Sequence, residues 1–335
     1  MKSNVIAVDM GSSSTAIYQV GTGVVLYEPS VVALSTDSKR KVKEVGKSAK
    51  SLIGRTSDST VVLSPIFESE IEDESAATAM CERFLNKITL KKLSARPQVV
   101  FSVPCGIELP AIRKFEKMLI ACDVSNYSFV EAPILSAIGM QIPMADATPC
   151  FVVDIGGGST DIAAVSLDGV ICGVNVNMGG ISIDAMLQTF IEERFGLLIG
   201  ALTAERLKIS IGSLVEGENT QMVINGRDVE TGRPRALKVS AGEISEPIYI
   251  FFDKIFQIMG MVMAKLPAEV SADIRKNGVY FSGGVAKTVG LEEYFRLKMG
   301  IRANIAENPE LSVIVGGGTV ASNKELLKKL RINKR

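Results

Sequence analysis

Histidine is missing from all 335 residues, and with it goes every mechanism built on a Ser-His-Asp triad, a Cys-His pair or a histidine-ligated zinc. Carboxylate, hydroxyl and backbone chemistry remain. Net charge is missing as well: 37 basic and 37 acidic side chains cancel, so no global field draws the chain to nucleic acid or to an anionic membrane. A nucleic-acid partner is not expected, and any membrane contact has to come from a local patch. Cysteine is scarce, with Cys81, Cys105, Cys122, Cys150 and Cys172 odd in number and free of any CxxC pair. That pattern predicts reduced, core-filling thiols and a cytoplasmic setting rather than a disulfide framework. Long apolar runs are absent too. The opening MKSNVIAVD turns polar within four residues, so no signal-peptide core is expected. Residues 248–266, the most apolar stretch, are broken by Asp253, Lys254 and Gln257 and stopped by Pro267, which predicts a buried amphipathic helix rather than a membrane span.

What is present is apolar bulk. A composition of 47% hydrophobic against 22% charged residues excludes disorder, and a length more than twice the usual unit of about 150 residues predicts two domains. An internal duplication supports this. VDMGSSSTAI at 8–17 aligns with VDIGGGSTDI at 153–162, 145 residues further on, with six of ten positions identical. So wide a spacing excludes a solenoid and points to two similar domains in one chain.

Each copy reads as a β-rich run ending in an aspartate, a glycine- and hydroxyl-rich turn, then a second β-rich run. Gly11, Ser12, Ser13 and Ser14 form one turn, and Gly156, Gly157, Gly158 and Ser159 the other. Small residues let the backbone approach a ligand, and successive amide N–H groups make an anion-binding concavity suited to phosphate. A single such turn reads as an ordinary hairpin. Two copies, each led by an aspartate (Asp9, Asp154), point instead to a paired phosphate cradle with Mg²⁺ held through its water shell. Two further glycine clusters, SGG at 282–284 and VGGG at 315–318, follow the β-rich segments 278–281 and 311–315. Each is expected to precede a helix, either approaching a base or sugar or serving helix packing.

In order along the chain, LYEPSVVAL (26–34), GRT (54–56), VEAPILSAIG (130–139), VVDIGGGSTDIAAVSL (152–167), LLIGALTAERLKISIGS (197–213), NGRDVETGRPRALKVSAGEI (225–244) and AENP with VGGGTVA (306–321) resemble the MreB/Mbl family of bacterial actins. That family lies within the superfamily of actin, sugar kinases and heat-shock-chaperone ATPases. The resemblance implies an α/β, actin-like two-lobed ATPase fold of duplicated ribonuclease-H-like domains. The first domain is expected at 1–147 plus 316–335, with a small subdomain at about 33–66, and the second at 148–315, with one at about 181–240.

The resemblance also implies cofactors, ATP and Mg²⁺, and roles for particular residues. Asp9 and Asp154 would hold the metal through water, and the two turns would wrap the phosphates. Glu131 would activate the attacking water, with Thr160 helping to place it and Asp161 alongside. Glu205 and Lys208, three apart and so on one helix face, would line the nucleoside pocket with Gly180, Gly283, Gly284 and Val285. Three departures stand out: Ile181 where the family usually has an aspartate, Val285 where it has a glycine, and Ser12 to Ser14 where it often has Thr-Ala-Asn. They imply a divergent paralogue with weak or very slow hydrolysis.

As partners, the family implies other copies of the chain in head-to-tail, paired filaments, together with cell-wall or morphogenesis proteins. It also implies the inner face of the cell membrane, touched through a loop that carries Leu90 and Leu93 among lysines. The leucines of the basic tail 323–335 are expected to pack on the parent domain rather than to anchor it. The implied role is cell shape and guidance of wall synthesis. The alternatives are a small-molecule kinase of the same superfamily, a non-hydrolysing nucleotide-bound scaffold, and a segregation or motility filament.

Overall fold

The computed structural model describes residues 4–88, 97–143, 149–166 and 169–332. Apolar runs such as VIAV, QVVF and CFVV are nearly continuous rather than alternating, the mark of strands covered on both faces. They form the centres of two five-stranded sheets. In the first, Val5–Met10 pairs antiparallel with Ser14–Gln19, which pairs with Gly23–Pro29. On its other side Val5–Met10 runs parallel to Gln98–Val103, followed by Asn126–Glu131. In the second, Cys150–Ile155 pairs with Thr160–Ser166 and then Gly169–Val176, and on its other side with Val279–Ser282 and then Ala303–Ile305. Strand order and direction are the same in both, so the likeness of ten residues extends through whole sheets.

Strand pleating sends alternate residues to opposite faces, and this divides each run between two cores. Ile6, Val8, Val99 and Phe101 face an outer core under the helices Glu74–Lys87 and Leu109–Ala121. Phe151, Val153 and Ile155 face another, under Gly180–Phe195, Ser245–Met263 and Leu291–Met299. Ala7, Val100, Val152 and Ala163 turn the other way, into a core shared by the two sheets. Two helices fill that shared layer by exchange. Ala132–Gly139, which follows the last strand of the first sheet, lies on the second; Ser312–Ser322, which follows the last strand of the second, lies on the first.

The crossing of these helices is backbone against backbone. A Cβ on Gly316 would stand 1.8 Å from the Leu135 carbonyl oxygen, and one on Gly139 1.9 Å from that of Ser312. A Cβ on Gly318 would meet the Tyr18 ring at 2.3 Å. This corrects the reading of 311–315 as β-rich with a glycine turn after it: the VGGG run lies inside a helix and serves packing. Close tertiary contact outweighs the cost of about 1 kcal/mol that each mid-helix glycine carries.

Smaller three-stranded sheets are inserted in each half. One consists of Val32–Ser35, Val42–Val45 and Thr60–Leu63, the other of Leu197–Leu198, Gln221–Asp228 and Pro234–Ser240. Ser245–Met263 is the amphipathic helix expected of 248–266, and among the described residues no helix is long and apolar enough to cross a membrane. The tail helix Lys324–Leu330 buries Leu327 and Leu330 in the shared core, as expected of its leucines. The loop with Leu90 and Leu93 lies outside the described residues.

Candidate functional site

Strand parity places the two aspartates. Asp9 shares the inward face with Val5 and Ala7, and Asp154 with Cys150 and Val152, so both point into the layer between the sheets. Each is the penultimate residue of its strand, two before the first glycine of the turn, and the two turns close identically. Gly11 N–H donates to the Ser14 carbonyl at 3.0 Å and Gly156 N–H to that of Ser159 at 2.9 Å.

Turn carbonyls are drawn aside. That of Ser12 accepts from Ser64 Oγ at 2.8 Å and that of Ser13 from Ser30 N–H at 3.0 Å. Those of Gly156 and Gly157 accept from the N–H groups of Gly180 and Ile181 at 3.0 and 2.8 Å. Turns with their carbonyls held back present amide hydrogens to an anion. The Ile181 substitution leaves this backbone anchor in place.

The turns face and touch each other. A Cβ on Gly157 would stand 2.2 Å from Ser13 Cβ, and one on Gly158 2.4 Å from Ser12 Oγ. Only glycine fits at either position while the halves are this close. A hairpin reinforces the contact. Its tip, Glu68 and Ser69, sits at positive φ between Ile66–Phe67 and Glu70–Ile71. From there Ser69 Oγ donates to Ser159 Oγ at 2.7 Å, and Glu68 accepts from Asn177 Nδ2 at 2.9 Å.

The acids gather at the same junction. Asp9 accepts from Ser102 Oγ, and Asp154 from Ser282 Oγ at 2.9 Å, which in turn accepts from Ser136 Oγ at 2.6 Å. Asp161 Oδ1 accepts from Cys105 N–H at 2.8 Å and Asn175 Nδ2 at 3.0 Å. Glu131, at the junction of Asn126–Glu131 with the helix Ala132–Gly139, accepts from Gly106 N–H at 2.8 Å.

Burial pushes Asp154 up to about 7, with Asp161 and then Asp9 adding like-charge repulsion against the Ser282 hydrogen bond. Burial likewise lifts Asp161 to about 6, helped by Glu131 and Asp9 and opposed by Asn175 and Cys105 N–H. Asp9 is raised by burial despite Ser102. Among the described residues, the causes that dominate all three shifts include no lysine or arginine. Desolvated carboxylates in each other's field, Asp161 buried and Asp9 and Asp154 half-buried, are a donor set suited to a divalent cation. Among the described residues no cluster of three or more ligand side chains is placed to hold a metal directly; a hydrated ion between two carboxylates does not require one.

The remaining predicted residues divide into two groups. Thr160 is fully buried, with its Oγ1 donating to the Met178 carbonyl at 2.6 Å. Lys208 sits on the same face of Ala201–Ile211 as Glu205, and its Nζ donates to the Gly180 carbonyl and pairs with Asp184, both at 2.8 Å. Glu205 is paired across the junction with Lys50 of the first half at 2.7 Å. Gly283, at φ +81°, presses on the Ile155 backbone, while Gly284 has open space beside it. Val285 is buried next to Gly180.

Ser102, Asn175 and the Glu68–Ser69 tip were not anticipated, nor was the bond of Ser282, first read as part of the SGG cluster, to Asp154. A signal existed for the serines: each follows a phenylalanine (Phe101, Phe281) in an apolar run and occupies the inward register beside an aspartate.

Comparison with known proteins agrees with this geometry. The chain matches the family described as MreB/Mbl protein over residues 3–329. It is 32% identical over 329 residues to the cell shape-determining protein Mbl of Bacillus subtilis (strain 168), covering 98% of each chain. Its structure resembles that of MreB5 of Spiroplasma citri bound to AMPPNP, with a TM-score of 0.89, 26% identity and 97% of each chain covered. It also shares the fold of the MamK double helical filament subunit, with a TM-score of 0.80, 19% identity, and 95% of this chain and 98% of that one covered.

Proposed function

The chain belongs to the MreB/Mbl family, and on that premise we propose that it is an ATP-binding, slowly hydrolysing bacterial actin that polymerises. The observation that carries this reading is the meeting of two duplicated turns, each led by a half-buried aspartate, at the junction of two like sheets. The turns are in contact, so admitting a phosphate chain requires the halves, 1–147 with 316–335 and 148–315, to part.

In this reading the amide hydrogens of Ser12, Ser13 and Ser14 and of Gly157 to Ser159 hold the phosphates, while Gly11 and Gly156 close the two turns. Gly180, Glu205, Lys208, Gly283, Gly284 and Val285 line the nucleoside side. Asp9 and Asp154 hold hydrated Mg²⁺, which when bound neutralises phosphate charge. Glu131, steadied by Gly106 N–H, accepts the proton of the attacking water. Thr160 keeps its oxygen as an acceptor because its proton is engaged by Met178, and Asp161 adds negative charge beside the water.

Filaments of head-to-tail, paired strands fit the membership, since the MamK subunit of like fold is a filament protein. By the same membership the filament lies at the inner face of the cell membrane, touching it through the loop with Leu90 and Leu93. There it serves cell shape and wall synthesis together with morphogenesis proteins. Electron microscopy and sedimentation of the purified protein with ATP and Mg²⁺, with ADP and without nucleotide, on and off lipid, test the reading. Nucleotide-dependent polymers that collect on lipid are expected. Absence of both nucleotide binding and polymer across salt conditions would overturn it.

A further inference from the structure

The helices Glu74–Lys87 and Leu109–Ala121 pack side by side on the outer face of the first sheet, and each brings a cysteine to their contact. Cys81 lies in the buried stripe of the first helix with Ala77 and Phe84. Cys122 caps the end of the second and stays half-buried. Cys122 Sγ donates to the Thr78 carbonyl at 3.5 Å, on the turn of helix just before Cys81, and each of the two thiols is the largest influence on the other's proton. Nothing in the proposed nucleotide chemistry uses either.

We propose that Cys81 and Cys122 form a reversible dithiol–disulfide site that stitches these two helices together when the protein meets a hydroperoxide.

The environments of the two sulfurs divide the work between them. The Cys81 thiol favours the Cys122 thiolate, while Cys122 and burial keep Cys81 protonated. The Cys122 thiolate attacks one peroxide oxygen and the O–O bond breaks. The alkoxide or hydroxide released takes up the proton that Cys122 had lost, leaving a sulfenic acid. Cys81 sulfur then attacks the Cys122 sulfur; the S–S bond forms, the S–O bond breaks, and the departing hydroxide takes the Cys81 proton as water. Two thiols thus supply the two electrons that reduce one peroxide. A dithiol reductant reverses the change.

Two of the other cysteines, Cys105 and Cys150, are buried and held as thiols. Burial pushes Cys150 up to about 12, and burial with the nearby Asp161 and Glu131 charges raises Cys105 further. The stitch has reach. Glu74–Lys87 follows the hairpin that touches Ser159, and Leu109–Ala121 follows the loop whose N–H groups hold Asp161 and Glu131. Joining them fixes two walls of the junction relative to each other.

The test treats the full-length protein with hydrogen peroxide, blocks free thiols, and maps peptides without reduction. Loss of two of the five free thiols is expected, with a Cys81–Cys122 peptide about 2 Da lighter than its reduced parts, restored by dithiothreitol. The unfolding midpoint of the oxidised protein should rise by a few degrees. In Cys81→Ser, whose hydroxyl keeps a donor beside Cys122 but cannot form the disulfide, the Cys122 sulfenic acid should persist and be trapped by dimedone, and Cys122→Ser should abolish both adduct and crosslink. Full retention of all thiols, a crosslink joining Cys105 to Cys172, or a disulfide between chains would overturn the proposal.

Discussion

Asp154→Asn should make the nucleotide-free protein more stable, and more so at high pH. The native carboxyl is pushed up to about 7, against about 3.9 for an aspartate in an unfolded chain. Between those values the folded protein keeps a proton that the unfolded chain has lost, so stability falls as pH rises from about 4 to 7 and stays at its lower level beyond. At about 1.4 kcal/mol per pH step, the ionised folded state carries a burden of about 4 kcal/mol above pH 8. Asparagine never ionises, yet its Oδ1 can still accept the Ser282 hydroxyl that Asp154 accepts at 2.9 Å. The advantage of the variant should therefore be near zero at pH 4 and reach a few kcal/mol at pH 8, on the order of 5–10 °C in unfolding midpoint. Thermal unfolding in chelator at both pH values measures it. Addition of Mg²⁺ and ATP should protect the unmodified protein and leave the variant unprotected. A variant no more stable at pH 8, or one with the same advantage at both pH values, would refute the reasoning.

Glu131→Gln keeps an acceptor for Gly106 N–H but loses the proton acceptor, so phosphate release should fall at least about tenfold while nucleotide affinity, read by fluorescent analogue binding, holds. Gly316→Ala drives a methyl into the Leu135 carbonyl, and urea unfolding should show a loss of about 1–3 kcal/mol or more. Lys50→Ala removes a partly exposed bridge to Glu205; it should leave stability within about 1 kcal/mol and speed nucleotide exchange up to about fivefold in stopped flow. Gly157→Ala should hold the two turns apart, because its methyl would overlap Ser13, and so should quicken nucleotide association in the same stopped-flow assay.

Much of this site was readable along the chain because it is local and occurs twice. Asp9 and Asp154 end apolar runs, the turns that follow contain only glycine and serine, and the duplication marks the two as a related pair. Hydrogen-bond partners distant in sequence were not readable. Ser102 lies 93 residues from Asp9, and Lys50 155 from Glu205, and no local pattern announces either pairing. VGGG misled for the opposite reason: its propensities are poor for a helix, and only the opposing backbone of Ala132–Gly139, itself a long-range partner, makes a helix the better state. The departures at Ile181 and Val285 left the backbone frame intact, since the Ile181 N–H still anchors Gly157 and Val285 stays packed beside Gly180.

The exchanged helices make each half depend on the other for a lid over its apolar face. A chain cut at the middle would yield two pieces with bare sheets, and they should become soluble only when co-expressed. The same arrangement restricts how the assembled molecule can open. Sliding the halves apart would tear the Gly139 and Gly316 backbones from their partners, whereas pivoting about the crossed pair, as scissors turn on a rivet, leaves that contact whole. Ser136 of one blade touches Ser282, which donates to Asp154, so any swing at the rivet is felt at once by that carboxylate.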